Sequence, residues 1–188
     1  MQYETSAIRK GLKVIENQQP HVVVDFQFVK PGKGNAFTRT RLKSLITGNV
    51  LDRTYKTGEK LEKAELDQRK VQYIYPEGEN RVFMDMEDYQ QYPIGEDVLG
   101  DVVNYLTEGL ECDLLIWESK PISVDPPNFV VLEVVSCGAG AKSDRATAVT
   151  KDAEVSTGHT IQVPLFINEG DSIKIDTRSG EYVERAKK

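Results

Sequence analysis

Apolar residues along this chain come in short bursts, mostly alternating with polar ones, and the bursts are separated by glycine, proline and asparagine. His21 to Val29 is an apolar, β-branched and aromatic run, and Ala36 to Leu45 resumes beyond a sharp turn, so the two predict a hairpin. Upstream, Ala7 to Pro20 reads as a short amphipathic start closed by a turn at Asn17-Gln18-Gln19-Pro20. Downstream, Leu45 to Val50 holds another turn, and Arg53-Thr54-Tyr55 runs into the polar cluster Lys56-Thr57-Gly58-Glu59-Lys60. Strands this short at this spacing predict a small SH3-like β-barrel over residues 1–64.

A second set of bursts occupies residues 65–128. Val71 to Tyr75 and Val82 to Met86 flank the turn Pro76-Glu77-Gly78-Glu79-Asn80, which predicts another hairpin. Val98, Leu99, Val102, Val103 and Leu106 then recur at helical spacing, predicting one short helix between Gly95 and Gly109. Leu114 to Trp117 and Ile122 to Val124 return to strand, and Pro126-Pro127 makes a stiff linker. Strands with a single helix in so short a span predict an OB-fold. In residues 129–188, Phe129 to Val135 is apolar at nearly every position, as a strand curled through a small barrel is. Gly158 to Ile167, Ser172 to Asp176 and Glu181 to Glu184 supply further strands, so a second OB-fold is expected. The fold class is all-β: three small barrels in series.

Composition narrows the chemistry. At 188 residues, with two cysteines and two histidines, the chain has little raw material for a Ser/His/Asp or Cys/His centre or for a zinc site. It carries no phosphate-cradling GxxxxGK[ST] or GxGxxG loop. Catalytic residues, metal ligands and a resident cofactor are not expected, and Cys112 and Cys137 are expected as free thiols. No apolar run approaches the roughly 18 to 20 residues of a membrane span. Met1-Gln2-Tyr3-Glu4-Thr5 begins no signal peptide, so a cytoplasmic, monomeric protein is expected.

The net charge of −6 conceals an asymmetry. Residues 1–64 hold twelve Lys and Arg against six Asp and Glu, residues 65–128 four against fifteen, and residues 129–188 eight against nine. The basic first third suits a polyanionic partner. Its hairpin turn, Lys30-Pro31-Gly32-Lys33-Gly34, places Lys33 between two glycines at an exposed tip. In the strand beyond, Arg39, Arg41 and Lys43 alternate, so they share a face and can meet phosphates together.

Two motifs at opposite ends of the chain carry a resemblance. Lys151-Asp152-Ala153, Gly158, Val163-Pro164-Leu165-Phe166-Ile167-Asn168-Glu169-Gly170 and Ile175-Asp176-Thr177-Arg178-Ser179-Gly180-Glu181-Tyr182 resemble the C-terminal signature of bacterial translation elongation factor P. Lys30-Pro31-Gly32-Lys33-Gly34 with Ala36-Phe37 resembles the same family's tip loop. The resemblance implies an L-shaped, tRNA-like series of a KOW/SH3-like barrel (1–64) and two OB-folds (65–128, 129–188). It implies a factor that binds the ribosome beside peptidyl-tRNA or initiator tRNA and stimulates peptide-bond formation, relieving stalls at consecutive prolines. Proline is a slow substrate partly because its ring fixes φ and constrains the attack.

By motif match, Lys33 is the residue that a separate enzyme modifies, with a β-lysyl or aminopentanol group. Tyr182 and Arg185 resemble positions near tRNA, and the other expected RNA contacts are ribosomal RNA and, at Asp144 and Arg145, mRNA in the exit site. There the chain departs from the family: Ser143-Asp144-Arg145 replaces Gly-Asp-Thr, and Arg145 offers a phosphate contact instead. Rival readings are an elongation factor P-like paralogue, a generic OB-fold RNA-binding protein, and an enzyme subunit. Thin exposed aromatics and the acidic middle argue against the second. The scarcity of His and Cys argues against the third.

Overall fold

Most of the alternating stretches are strands in the computed structural model, which describes residues 1–138 and 150–186. The first sheet comprises β1 (Gln2–Glu4), β2 (Lys13–Glu16), β3 (Gln19–Val29), β4 (Phe37–Ser44), β5 (Val50–Lys56) and β6 (Lys60–Lys63). Its order, β1-β6-β2-β3-β4-β5, leaves β1 and β5 as edges. The expected first barrel is therefore an open sheet. A closing strand must pair on both sides, and the three-residue β1 pairs only with β6. Val14, Val23, Leu42, Tyr55 and Leu61 from five strands, with Ile8 and Leu12, bury together as its core. Truncating Leu42, which is wholly buried, should cost about 2 to 5 kcal/mol.

The amphipathic start is a 3-10 turn (Thr5–Ala7) followed by β2. Asn17 and Gln18, at φ 49° and 61°, make the two-residue left-handed turn that pairs Glu16 with Gln19.

Two five-stranded, barrel-like sheets follow. One contains β7 (Leu66–Glu77), β8 (Asn80–Asp85), β9 (Gln91–Gly95), β10 (Glu111–Trp117) and β11 (Lys120–Asp125), in the order β11-β10-β7-β8-β9. The helix expected between Gly95 and Gly109 is a single α turn, α1 (Glu96–Leu99), that passes into a 3-10 turn (Gly100–Tyr105) at Gly100, whose φ is 51°. The other contains β12 (Phe129–Cys137), β13 (Thr150–Val155), β14 (Thr160–Pro164), β15 (Ser172–Asp176) and β16 (Glu181–Arg185), in the order β14-β13-β12-β15-β16. Along β12 the inner Val130, Leu132 and Val134 are buried, whereas Phe129, Val131 and Val135 are exposed.

The chain forms two compact units, residues 1–68 with 115–123 and residues 69–114 with 124–188. Within the second, Tyr105 leaves its 3-10 turn to join the buried cluster of β12 to β15, edge-on to His159 at 5.9 Å between centroids. Thr157 Oγ1 donates to the Asn104 carbonyl at 2.6 Å.

Candidate functional site

β3 and β4 pair from His21 opposite Ser44 to Val29 opposite Phe37, with a bulge between Val23 and Asp25, and residues 30–36 form the turn. Lys30, Gly32, Lys33, Gly34 and Asn35 are exposed and Pro31 is half-buried. Only Gly34 has a left-handed backbone, at φ 104°. The exit of the turn is pinned, because the Ala36 carbonyl accepts from Thr57 N at 3.0 Å and from Thr57 Oγ1 at 2.8 Å. An exposed cation thus sits on a loop whose downstream end is anchored.

On β4 the buried Thr38, Thr40, Leu42 and Ser44 alternate with the exposed Arg39, Arg41 and Lys43, as the spacing predicts. The three cations are not equivalent. Arg41 Nε donates to Asp52 Oδ1 at 3.1 Å, and this hydrogen bond, ahead of the Coulomb attraction, raises the guanidinium pKa. Asp25, opposite Arg41 in the β3–β4 register, is paired with Lys10 at 3.1 Å, whose hydrogen bond holds the carboxyl below its usual range. Arg39 lies over the Phe37 ring at 5.5 Å, and neither it nor Lys43 enters an ion pair among the described residues. Arg53, which carries no signal in the linear pattern, approaches Glu16 at 3.4 Å and Glu59 at 3.9 Å and covers the Tyr55 ring at 5.1 Å. Burial, and then its hydrogen bond to Glu16, push the Tyr55 phenol well above its ordinary pKa. Cross-strand register, invisible in a linear pattern, brings these groups together.

Of the other expected site residues, Tyr182 is half-buried against the core of the third sheet, paired with Ile175. Arg185 is exposed, its Nη1 3.9 Å from Asp171 Oδ2. Both belong to the second compact unit, whereas Lys33 belongs to the first. Asp144 and Arg145 lie outside the described residues. Cys112 and Cys137 are free, and burial pushes the Cys112 thiol up to about 12, far from a reactive thiolate. Among the described residues no group of three His, Cys, Asp or Glu could hold a metal, and no helix is long and apolar enough to cross a membrane.

Residues 4–61 match the elongation factor P KOW-like domain, residues 66–124 the elongation factor P OB domain, and residues 130–185 the elongation factor P C-terminal domain. Elongation factor P of Rhodopirellula baltica is 48% identical over 183 residues, covering 97% of this chain and 94% of that one. The chain belongs to the elongation factor P family. Elongation factor P of Bdellovibrio bacteriovorus is 46% identical over 183 residues, covering 97% of each chain.

Membership makes the protein a translation factor that stimulates peptide-bond formation on the ribosome and relieves stalling at consecutive prolines. The reaction is catalysed by the ribosome, and the factor is not itself an enzyme. The fold extends further: the solved eukaryotic translation initiation factor 5A from Methanococcus jannaschii superposes with a TM-score of 0.52 at 24% identity, over 66% of this chain and 95% of that one.

Proposed function

We propose that Lys33 is the group this factor presents to the reaction centre, and that a separate enzyme extends it covalently, by a β-lysyl or aminopentanol group. The exposed position of Lys33 on a turn anchored through Ala36 and Thr57 carries this reading. An ammonium on a four-carbon stem is a compact donor whose reach grows when a further amine-bearing group is attached. Residues 1–64 act as the tip-bearing domain, and residues 65–128 and 129–188 act as two OB-like domains. Arg39 and Lys43 meet phosphates of ribosomal RNA or of the peptidyl or initiator tRNA, while Tyr182 and Arg185 meet RNA from the third domain. Asp144 and Arg145 are assigned to RNA on the motif alone. The factor works in the cytoplasm as a monomer.

Lys33→Arg tests the reading in a polyproline synthesis assay. The variant keeps a cation, but its planar guanidinium accepts no lysine-directed modification and has a different reach. It should bind ribosomes nearly as the parent does, yet lose most of the rate advantage on proline runs. An arginine variant with full activity would sink the positioning role and leave family membership untouched. Intact mass of the protein from its own host reads the modification directly.

A further inference from the structure

Beyond Val29 opposite Phe37 the chain leaves the β3–β4 ladder, and residues 30–36 carry Lys33 out into solvent. Among the described residues, the hydrogen bonds that reach this turn both come from Thr57, whose N donates to the Ala36 carbonyl at 3.0 Å and whose Oγ1 donates to the same oxygen at 2.8 Å. The two bonds differ in kind. The backbone bond continues the β4–β5 ladder one step past Phe37 opposite Lys56, whereas the hydroxyl bond is an addition that no ladder requires. Together they occupy both lone pairs of one carbonyl. Thr57 is exposed, so burial does not force its hydroxyl to find a protein partner. The turn that carries it is closed in its own right: Gly58 takes φ 95°, and Glu59 N donates to the Lys56 carbonyl at 3.0 Å. Glu59 is also 3.9 Å from Arg53.

We propose that Thr57 is a positioning residue for the stimulated reaction: its hydroxyl, by holding the Ala36 carbonyl, sets the direction in which the turn leaves β4 and so aims Lys33. This inference rests on the role of Lys33 at the reaction centre proposed above. Lys33 lies three residues before Ala36, within about 11 Å at full extension, so the orientation of the Ala36 peptide bounds where the ammonium can be carried. Pro31 fixes φ at the entry of the turn and Thr57 holds its exit, which leaves residues 32–35 as the segment to be steered. Holding the exit from a second turn, between β5 and β6, makes the aim of the tip a property of the folded sheet rather than of the loop sequence alone. The net strength of one such hydrogen bond corresponds to a change of roughly two- to tenfold in the population it holds. A reaction sensitive to placement at the ångström scale registers that change, whereas ribosome binding, spread over the rest of the surface, does not.

The test uses the full chain carrying Thr57→Val, which keeps the branched shape and removes the donor, beside Thr57→Ser, which keeps the donor. Polyproline synthesis is followed over a range of factor concentrations, on protein matched to the parent in the intact mass at Lys33. Thr57→Val should lower the maximal rate by roughly two- to tenfold, with the half-saturating concentration and the melting temperature near those of the parent. Thr57→Ser should restore the maximal rate. Should Thr57→Val melt well below the parent, Thr57→Ala supplies a second donor-free variant with the same expected loss. A donor-free variant that folds and reaches the parent's maximal rate overturns the proposal, as does a serine variant no better than valine. A defect that vanishes once Lys33 is equally modified would assign Thr57 to recognition by the modifying enzyme and equally overturn it. Lys33→Arg separates the two readings. Full activity of Lys33→Arg sinks the role of Lys33 and the aim with it, whereas an inactive Lys33→Arg beside a fully active Thr57→Val sinks the role of Thr57 alone.

Discussion

Arg41 and Asp52 face each other across β4 and β5 with Nε 3.1 Å from Oδ1, so one of three cations on a single strand face is already neutralised within the sheet. Asp25 stands in the same cross-strand row on the other side. An arginine held this way keeps free Nη donors, but its charge is already offset by Asp52, so meeting a phosphate neutralises little further charge. Arg39→Gln and Lys43→Gln should each reduce the salt slope of ribosome binding by roughly 0.7 to 0.9, whereas Arg41→Gln should leave it close to that of the parent. Equal losses for all three variants would show that Arg41 neutralises a phosphate despite Asp52.

Tyr105 and Gly180 make a second contact with consequences. Gly180 has φ 74°, and a Cβ added there would stand 3.2 Å from the Tyr105 hydroxyl oxygen, while Tyr105 itself is buried. Gly180→Ala therefore meets both left-handed strain and crowding, and should cost about 1 to 2 kcal/mol in denaturant unfolding. Tyr105→Phe removes the atom in the way, so the alanine should cost measurably less in that background. Additive costs would mean that the crowding term is absent. Tyr105→Ala should be the most damaging of these changes, at about 3 to 5 kcal/mol, because it empties part of a core that β12 to β15 build.

The hairpin and its tip were legible because apolar alternation from His21 to Val29 and from Ala36 to Leu45 brackets a Pro/Gly turn, and local signals suffice for that. β2, β9 and β13 were not legible as strands. Lys13–Glu16 is only four residues long, Gln91–Gly95 contains a proline, and Thr150–Val155 alternates with residues too polar or small to announce a buried face. The helical spacing from Val98 to Leu106 was real, but Gly100 at φ 51° splits it. At the site, the positions of Arg39, Arg41 and Lys43 followed from a period of two, yet their different partners depend on which residues of β3 and β5 come opposite. Pairing between distant segments also decides why the first sheet stays open.

Asp176 provides a prediction in acid. Arg178 donates to it from Nη2 at 2.7 Å and Nε at 3.0 Å, and its backbone N donates at 2.9 Å, so the carboxyl is held at about 2 against an ordinary 3.8. A depressed carboxyl pKa means that the folded state binds the proton less readily than the unfolded chain. The stabilisation is complete above about pH 4 and disappears as pH falls towards 2. Asp176→Asn should therefore lower stability at neutral pH and flatten its decline between pH 4 and 2, read from denaturation midpoints. An unchanged acid limb would show that Asp176 is not among the groups driving it.

The two glycines beside Lys33 separate loop geometry from loop composition. Neither has anything nearer than 4.0 Å to an added Cβ, so alanine fits in space at both. Gly34 alone has a left-handed backbone, at φ 104°, where an alanine is strained by about 1 to 2 kcal/mol. Because the turn lies outside the paired strands, the chain relieves that strain by changing the loop rather than by unfolding the sheet, and Lys33 moves with it. A displacement of about 1 Å at a reacting centre can cost on the order of a hundredfold in rate. Gly34→Ala should therefore lose polyproline stimulation by roughly tenfold or more, while melting and ribosome binding stay near those of the parent. Gly32→Ala, which meets no such strain, should retain activity. The reverse ordering, with Gly32→Ala the more damaging, would mean that the loop is read by direct contact at Gly32 and that the conformation at Gly34 does not set the aim of Lys33.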